Sequence, residues 1–363
     1  MAATGQFRPS PTAYRPPVAD TTVAGHRRGG GLRRGALRSV RVQLLAPILV
    51  AMAGLAVLGS VQTLTAAAEA ADAQRARTLA TTAVGTVRLV HEVERELAET
   101  TALRQRGGEA GRQLVTAQRQ RTDAMVTAYR AAANRARTAV PALETTIRTA
   151  DAALDGLEGA RAAALEPDAE TTSTSDQLYH NLSTALLAVA DELPARVVDP
   201  QLANQARVVA ALSAVEHYDA LERALVRAIL ARKSLQPGEL GALATLVGQR
   251  NERMAEFDRV ADTTERALFS TIVQGRDVET ANHLREALLA SERDPSGLTA
   301  DPDAWYTAQS NLIRRINLAS LRLSDRLERD ATRVETSALW RAWGTAIGTV
   351  CLAGAALAAA ALL

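Results

Sequence analysis

The sequence repeats a short charged motif, and this repetition restricts the possible folds more than any other feature. A Glu-Arg pair at residues 94–95 recurs at residues 222–223, 128 positions later, in both cases beside apolar residues. A second motif, Gln-Arg-x-acidic-x-Met, occurs at residues 120–125 and again at 249–254, at an offset of 129. Because two motifs keep nearly the same spacing, we interpret them as the remains of a duplication. The chain is therefore expected to contain two similar halves.

Composition and periodicity indicate that both halves are helical. Aromatic residues make up only 3% of the 363 residues, and few β-branched runs are available for strands. Apolar residues recur with helical period in nearly every segment after residue 65. Helices are predicted over residues 66–106, 111–137, 141–165, 175–193, 201–233, 239–261 and 301–339. Between the last two of these, one helix is predicted from residue 263 to a break at Gly275, and another from that break to about residue 293. These helices form two sets, at about 66–195 and 200–338, which predicts an all-α fold of two side-by-side four-helix bundles.

Local signals mark several of the predicted helix boundaries. The Gly107-Gly108 pair is typical of a helix end, since glycine adopts the backbone angles needed there. Asp262 and Glu265 have the spacing of a capping box, which predicts a helix beginning at residue 263.

Two charge-free apolar stretches flank the helical region. Leu44–Leu64 and Ala342–Leu363 are both about long enough to cross a bilayer as helices. Trp340 and Trp343 at the start of the second stretch are typical of a membrane interface. We therefore predict a tail at 1–41, transmembrane helices at 42–65 and 339–363, and a helical domain at 66–338. A cleaved signal peptide is the alternative interpretation of the first stretch.

The distribution of charge predicts the orientation of the chain in the membrane. Residues 1–41 contain eight arginines and a single acidic residue, Asp20. Arginines directly before a membrane span favour the cytoplasmic side, so we expect a cytoplasmic N-terminus and an extracytoplasmic domain at 66–338 in the cell membrane. The tail itself is expected to be disordered. A basic arm can also contact nucleic acid, but its position beside an apolar stretch favours the membrane, and we predict no nucleic-acid partner.

The sequence contains no recognisable catalytic or metal-binding pattern. The five histidines are scattered, and none has a histidine or cysteine neighbour at metal-ligand spacing. A phosphate-binding glycine loop and a serine nucleophile elbow are also missing from the sequence. We therefore predict no catalytic residue, no metal site and no cofactor, and interpret the chain as a non-enzymatic binding protein.

Arg95 and Arg223 are the candidate binding residues. A guanidinium group is planar, permanently charged and able to hold an oxyanion with two hydrogen bonds. Two such groups from different halves would suit a small anion in a shared pocket. The alternative is an ordinary helix salt bridge, since Arg95 has acidic residues one turn away at positions 92 and 99, and Arg223 has one at position 219. Candidate supporting residues are His91, Glu94, His217 and Glu222; the alternative for the histidines is a partly buried structural role.

Several segments resemble the nitrate- and nitrite-sensing (NIT) domain, in the form found ahead of bacterial sensor histidine kinases. They are VHEVEREL (90–97), LVTAQRQRTDAMVTAY (114–129), LERALVRAILARKSLQPGEL (221–240), LVGQRNERMAEFDRVA (246–261) and DPDAWYTAQSNLI (301–313). The resemblance implies two four-helix bundles with nitrate or nitrite held between them, by Arg95 from one half and Arg223 from the other. Glu96 departs from the family pattern, which often has glycine there. We expect Glu96 to point away, because adjacent helix residues do not share a face.

These observations predict a membrane sensor that binds nitrate or nitrite outside the cytoplasm. The resemblance also implies a homodimer, and a cytoplasmic kinase or other output module in the same or a separate chain. Two alternatives stay open. The chain is the sensor fragment of a histidine kinase whose kinase core lies beyond Leu363, or it is a ligand-free helical module that mediates dimerisation.

Overall fold

A computed structural model describes residues 40–166, 169–291 and 295–362, and within these ranges the protein is helical, with no strand. The predicted tail at 1–41 lies almost entirely outside the described residues. The helices are α1 (Val40–Arg106), α2 (Glu109–Ala139), α3 (Glu144–Asp155), α4 (Leu157–Ala163), α5 (Ala169–Glu192), α6 (Pro200–Arg232), α7 (Glu239–Val260), α8 (Thr263–Ile272), α9 (Arg276–Leu289) and α10 (Pro302–Leu362). Short 3-10 turns occur at Pro141–Leu143, Leu193–Arg196 and Pro295–Thr299.

Most predicted helix boundaries are confirmed, and their local causes are visible. Gly107 and Gly108 follow α1 with φ angles of 64° and 87°, which are favourable only for glycine. Asp262 and Glu265 form the predicted capping box, each accepting a hydrogen bond from the other's backbone N–H. Asp199 caps α6 by accepting a hydrogen bond from the Leu202 N–H.

The prediction of one helix over 141–165 is wrong. Pro141 begins a 3-10 turn, and the following helix is interrupted at Gly156, which separates α3 from α4. Glycine carries the highest backbone entropy cost of any residue in a helix, so a break there is inexpensive. The interruption has a structural consequence, because α4 carries Arg161 to within hydrogen-bonding distance of α1. Two other predicted boundaries also differ from the structure. The helix predicted to begin at residue 175 is α5, which begins at Ala169, and the helix predicted to end at about residue 293 is α9, which ends at Leu289.

The described helices pack around five clusters of buried apolar residues, of which the first core is the largest. Leu89, Tyr129, Ile147 and Leu186 contribute buried side chains from α1, α2, α3 and α5 to the first core. The first core also includes residues of α6 and α10, such as Leu202 and Leu327. A separate cluster joins α6, α7, α9 and α10 through Val226, Leu243, Leu288 and Trp305. The fold is therefore all-helical, with α6 and α10 belonging to both of these clusters.

The two longest helices extend beyond the packed cores. α1 has 67 residues and α10 has 61, so each is about 90–100 Å long. Both are long and apolar enough to cross a membrane. Their apolar ends expose large side chains, including Val57, Leu64, Ile347 and Leu352. Because exposed aliphatic side chains are unfavourable in water, these ends are candidate membrane spans.

Candidate functional site

Two reciprocal contacts between histidine and glutamate join α1 to α6. His91 Nδ1 lies 2.6 Å from Glu216 Oε1, and His217 Nδ1 lies 2.7 Å from Glu94 Oε1. Each helix thus supplies one histidine and one glutamate. Glu94, Glu216 and His217 are buried, whereas His91 is half-buried. The two halves of the sequence are therefore held together at this level by side-chain bonds as well as by packing.

Burial and pairing act in opposite directions on the pKa values of these groups. Burial alone would raise the pKa of Glu94, but the charge and hydrogen bond of His217 lower it below its ordinary 4.5. Burial would likewise lower the pKa of His91, but the adjacent Glu216 raises it above the ordinary 6.5. His217 thus favours the ionised form of Glu94, and Glu216 favours the protonated form of His91.

An open cavity of about 420 Å³ lies beside these contacts, between α1, α6 and α10. It is lined by His91, Glu94, Arg95, Ala98, Glu99, Glu216, Ala220, Arg223, Tyr306, Ser310, Ile313, Arg314 and Asn317. The structure thus brings Arg95 and Arg223, which are 128 positions apart in sequence, to one cavity. Three guanidinium groups face three carboxylates there, and histidines already contact two of those carboxylates, Glu94 and Glu216.

Neither Arg95 nor Arg223 forms an ion pair with any residue that the structure describes. The Arg95 side chain is exposed and has no hydrogen-bond partner in the described ranges. Arg223 Nη1 donates a 3.0 Å hydrogen bond to Ser310 Oγ, and its guanidinium carbon lies 5.0 Å from the centre of the Tyr306 ring. Both contacts orient Arg223 without neutralising its charge. The cavity therefore presents two guanidinium groups that can still bind an anion.

The ordinary salt bridges considered for these arginines do not form. Asp219, one turn from Arg223, is engaged instead by Arg250 at 2.8 Å and by Arg285 at 3.0 Å. Glu92 accepts a hydrogen bond from the Gln118 side chain. Glu99 lines the cavity without an ion-pair partner among the described residues. The carboxylates nearest in sequence are therefore not what holds the two arginines in place.

Glu96 points away from the cavity, as expected. Its carboxylate is fully buried and accepts hydrogen bonds from Arg161 Nε at 2.7 Å and from the Tyr179 hydroxyl at 2.8 Å. Burial would raise its pKa, but these donors lower it below the ordinary value of 4.5. The extra acidic residue thus belongs to the packing of α4 and α5 against α1, and its charge is neutralised there.

Glu222 also lies outside the cavity. Its two carboxylate oxygens accept hydrogen bonds from Arg285 Nε at 2.7 and 2.9 Å, which ties α9 to α6. The pKa of Glu222 is raised, chiefly by burial. The repeated Glu-Arg motif is therefore asymmetric in structure, because Glu94 lines the cavity and Glu222 does not. His217 likewise contacts Glu94 without lining the cavity.

Sequence reasoning missed the contribution of α10. Tyr306, Ser310 and Arg314 all line the cavity, and their spacing of four residues places them along one helix face. This spacing was visible in the sequence, but nothing there indicated which face of α10 would meet α1 and α6. A larger cavity, of about 610 Å³, lies between the apolar ends of α1 and α10 and is lined by no charged residue. It is unsuited to an anion.

The contact between His91 and Glu216 is expected to make stability depend on pH. Because the pKa of His91 is raised in the folded protein, its contribution is complete below the ordinary value of 6.5 and is lost as the pH rises through the higher folded value. In the full chain in detergent, His91→Gln should lower the melting temperature by about 2 °C at about pH 6, with a smaller difference at about pH 8.5.

His283→Gln provides the control, because His283 is exposed and has no described partner. This variant should follow the wild-type melting curve at both pH values. A His91→Gln difference that stays constant from pH 6 to pH 8.5 would contradict the assigned ion pair.

Comparisons with known proteins identify the family to which this site belongs. The family described as nitrate and nitrite sensing matches residues 88–328, which include both arginines. A solved structure titled "Structure of the NasR transcription antiterminator" is similar at a TM-score of 0.62 and 19% identity, over 78% of this chain and 79% of that chain. No curated protein sequence matches. At this identity the structural likeness bears on the fold alone, whereas the family match covers most of the chain. The protein belongs to the nitrate- and nitrite-sensing (NIT) family.

Proposed function

We propose that the cavity between α1, α6 and α10 binds nitrate or nitrite, with Arg95 and Arg223 as the principal ligands. One observation carries this proposal: two guanidinium groups from different halves of the chain line one cavity, and neither has a carboxylate partner among the described residues. A planar oxyanion accepts the paired N–H groups of a guanidinium in its own plane. An anion bound between the arginines would supply the negative charge that neighbouring carboxylates do not.

Five further residues support the site in this proposal. His91, with Glu216, and Glu94, with His217, hold α1 against α6 at the cavity. Glu222 acts at a greater distance, by fixing α9 to the helix that carries Arg223. An anion that bridges the arginines would favour one arrangement of α1 and α6, and ligand binding would shift the population towards that arrangement.

We infer that the protein is a two-span membrane sensor. In this proposal residues 66–338 form two duplicated four-helix bundles side by side outside the cytoplasm, and the N-terminal tail lies inside. α1 and α10 are continuous from the cavity to the candidate spans, so a change in their packing would be carried inward without an intervening loop. The sensor would act as a homodimer on a cytoplasmic histidine kinase or other output module, in the same or a separate chain.

Replacing either arginine is expected to remove anion binding. In the full chain in detergent, Arg95→Ala and Arg223→Ala should each weaken nitrate binding at least 30-fold, because each removes a charge-assisted pair of hydrogen bonds. Calorimetric titration measures the affinity, with chloride and sulfate as comparison anions. Arg106→Ala is the matched control, since Arg106 is an exposed arginine on α1 without a described partner. Unchanged nitrate affinity in both Arg95→Ala and Arg223→Ala, with helicity intact, would contradict the assignment of these arginines as the anion-binding residues.

Removing the unpaired carboxylate of the cavity is expected to strengthen binding. Glu99 lines the cavity and would repel an anion held by Arg95, four residues away on the same helix. Glu99→Gln should lower the nitrate Kd by about threefold, and Glu279→Gln, an exposed glutamate on α9, should leave it unchanged. A gain in affinity cannot result from misfolding. Weaker binding by Glu99→Gln would argue against an anion at this position.

Single cysteines test the proposed orientation. Cys351 is first replaced by serine, because it is an exposed free cysteine. One variant then carries Ser10→Cys in the tail, and the other carries Glu252→Cys at an exposed position on α7. A membrane-impermeant maleimide should label the cysteine at 252 in intact cells, whereas the cysteine at 10 should react only after the membrane is disrupted. The opposite pattern would reverse the topology.

A further inference from the structure

Arg314 on α10 is a third cation of the anion cavity. Its side chain is exposed, and it has neither a hydrogen bond nor an ion pair with any residue in 40–166, 169–291 or 295–362. Two other arginines of the same helix are engaged. Arg315 donates to the Ile272 carbonyl at 3.2 Å, and Arg326 pairs with Asp262 at 2.9 Å. Arg314 is thus free at the point where α10 faces the cavity.

The same face of α10 already organises the site. Ser310 accepts the hydrogen bond of Arg223, and the Tyr306 ring lies against its guanidinium. Asn317 Nδ2 donates to Glu216 Oε2 at 3.3 Å, so the face also supports one histidine–glutamate contact. Arg314 lies one helical turn after Ser310 and one turn before Asn317. It therefore occupies the middle of a face that is fixed on both sides by contacts to the site.

The carboxylates that line the cavity do not neutralise this third cation. Of the three cavity carboxylates, Glu94 and Glu216 each contact a histidine, at 2.7 and 2.6 Å. Glu99 is the remaining one, and it forms no ion pair with Arg314 among the described contacts. The Arg314 guanidinium is therefore not paired with a neighbouring carboxylate and can bind a ligand.

We propose that Arg314 is a third anion-binding residue and that it selects nitrate over nitrite. This inference rests on the proposed function of the cavity. Nitrate has three equivalent oxygens in a plane, whereas nitrite has two. Guanidinium groups from α1, α6 and α10 supply one donor group for each nitrate oxygen, whereas in nitrite the third group would have to share an oxygen with another arginine and would bind more weakly. The bound anion would also link Arg95 of α1 to Arg314 of α10, and these two helices continue into the candidate spans.

The test compares both anions on four proteins. The full chain is placed in nanodiscs of uncharged lipid, and nitrate and nitrite are titrated by calorimetry into wild type, Arg314→Ala, Arg314→Lys and Arg322→Ala. Arg322 is an exposed arginine of the same helix, has no described partner and does not line the cavity, so it controls for loss of a distant charge. Melting curves without anion check that each variant folds.

Arg314→Ala should weaken nitrate binding about tenfold and nitrite binding less than threefold, whereas Arg322→Ala changes neither by more than twofold. Arg314→Lys should recover part of the nitrate affinity, because it keeps the charge and loses the fork. Nitrate affinity within twofold of wild type in Arg314→Ala would overturn this inference alone, provided that Arg95→Ala is defective. Equal losses for both anions would overturn the selection of nitrate. A folded wild-type protein that binds neither anion would overturn the proposed function itself.

Discussion

The structure depends on the requirement that a carboxylate inside a helical bundle be paired. Glu96, Asp219 and Glu222 are all buried on the first helix of a half, and each is held by arginine. Removing one partner of such a pair costs about 3–5 kcal/mol, because the other charge is left buried. These buried ion pairs therefore fix how the helices pack against one another. They occupy Arg161, Arg250 and Arg285, and they also occupy Asp219, whose spacing would otherwise allow an ion pair with Arg223.

Where α1 crosses α6, histidines replace arginines as the partners of buried glutamates. A histidine changes its charge near neutral pH, so the contact of His91 with Glu216 weakens as the pH rises. The same boundary carries Arg95 on one side and Arg223 on the other. Protons and the proposed anion would therefore act on one helix crossing. α10 borders this crossing and, like α1, runs on to a candidate span, so two uninterrupted helices connect the site to the candidate spans.

Sequence reasoning succeeded where structure is determined within a few residues. The end of α1 follows from Gly107-Gly108, and the beginning of α8 follows from the capping box of Asp262 and Glu265. It failed at Gly156, where a glycine within a helical pattern interrupts the helix and lets α4 approach α1. The resemblance to the nitrate- and nitrite-sensing family, carried by the order of several motifs, is confirmed. The anion-binding role of Arg95 and Arg223 stays a prediction.

The sequence by itself determined the helices, their approximate ends, the two apolar stretches and the family, because helical hydrogen bonds join residues only four positions apart. Only the tertiary structure decided which arginines are free. Arg161 meets Glu96 across 65 positions and Arg285 meets Glu222 across 63, and no local pattern reports such pairings. The salt bridges that spacing allowed at Arg95 and Arg223 do not form, since Asp219 is held by residues of other helices and Glu92 by a glutamine of α2. Competition among partners distant in sequence, settled by packing, leaves these two arginines and Arg314 facing one cavity.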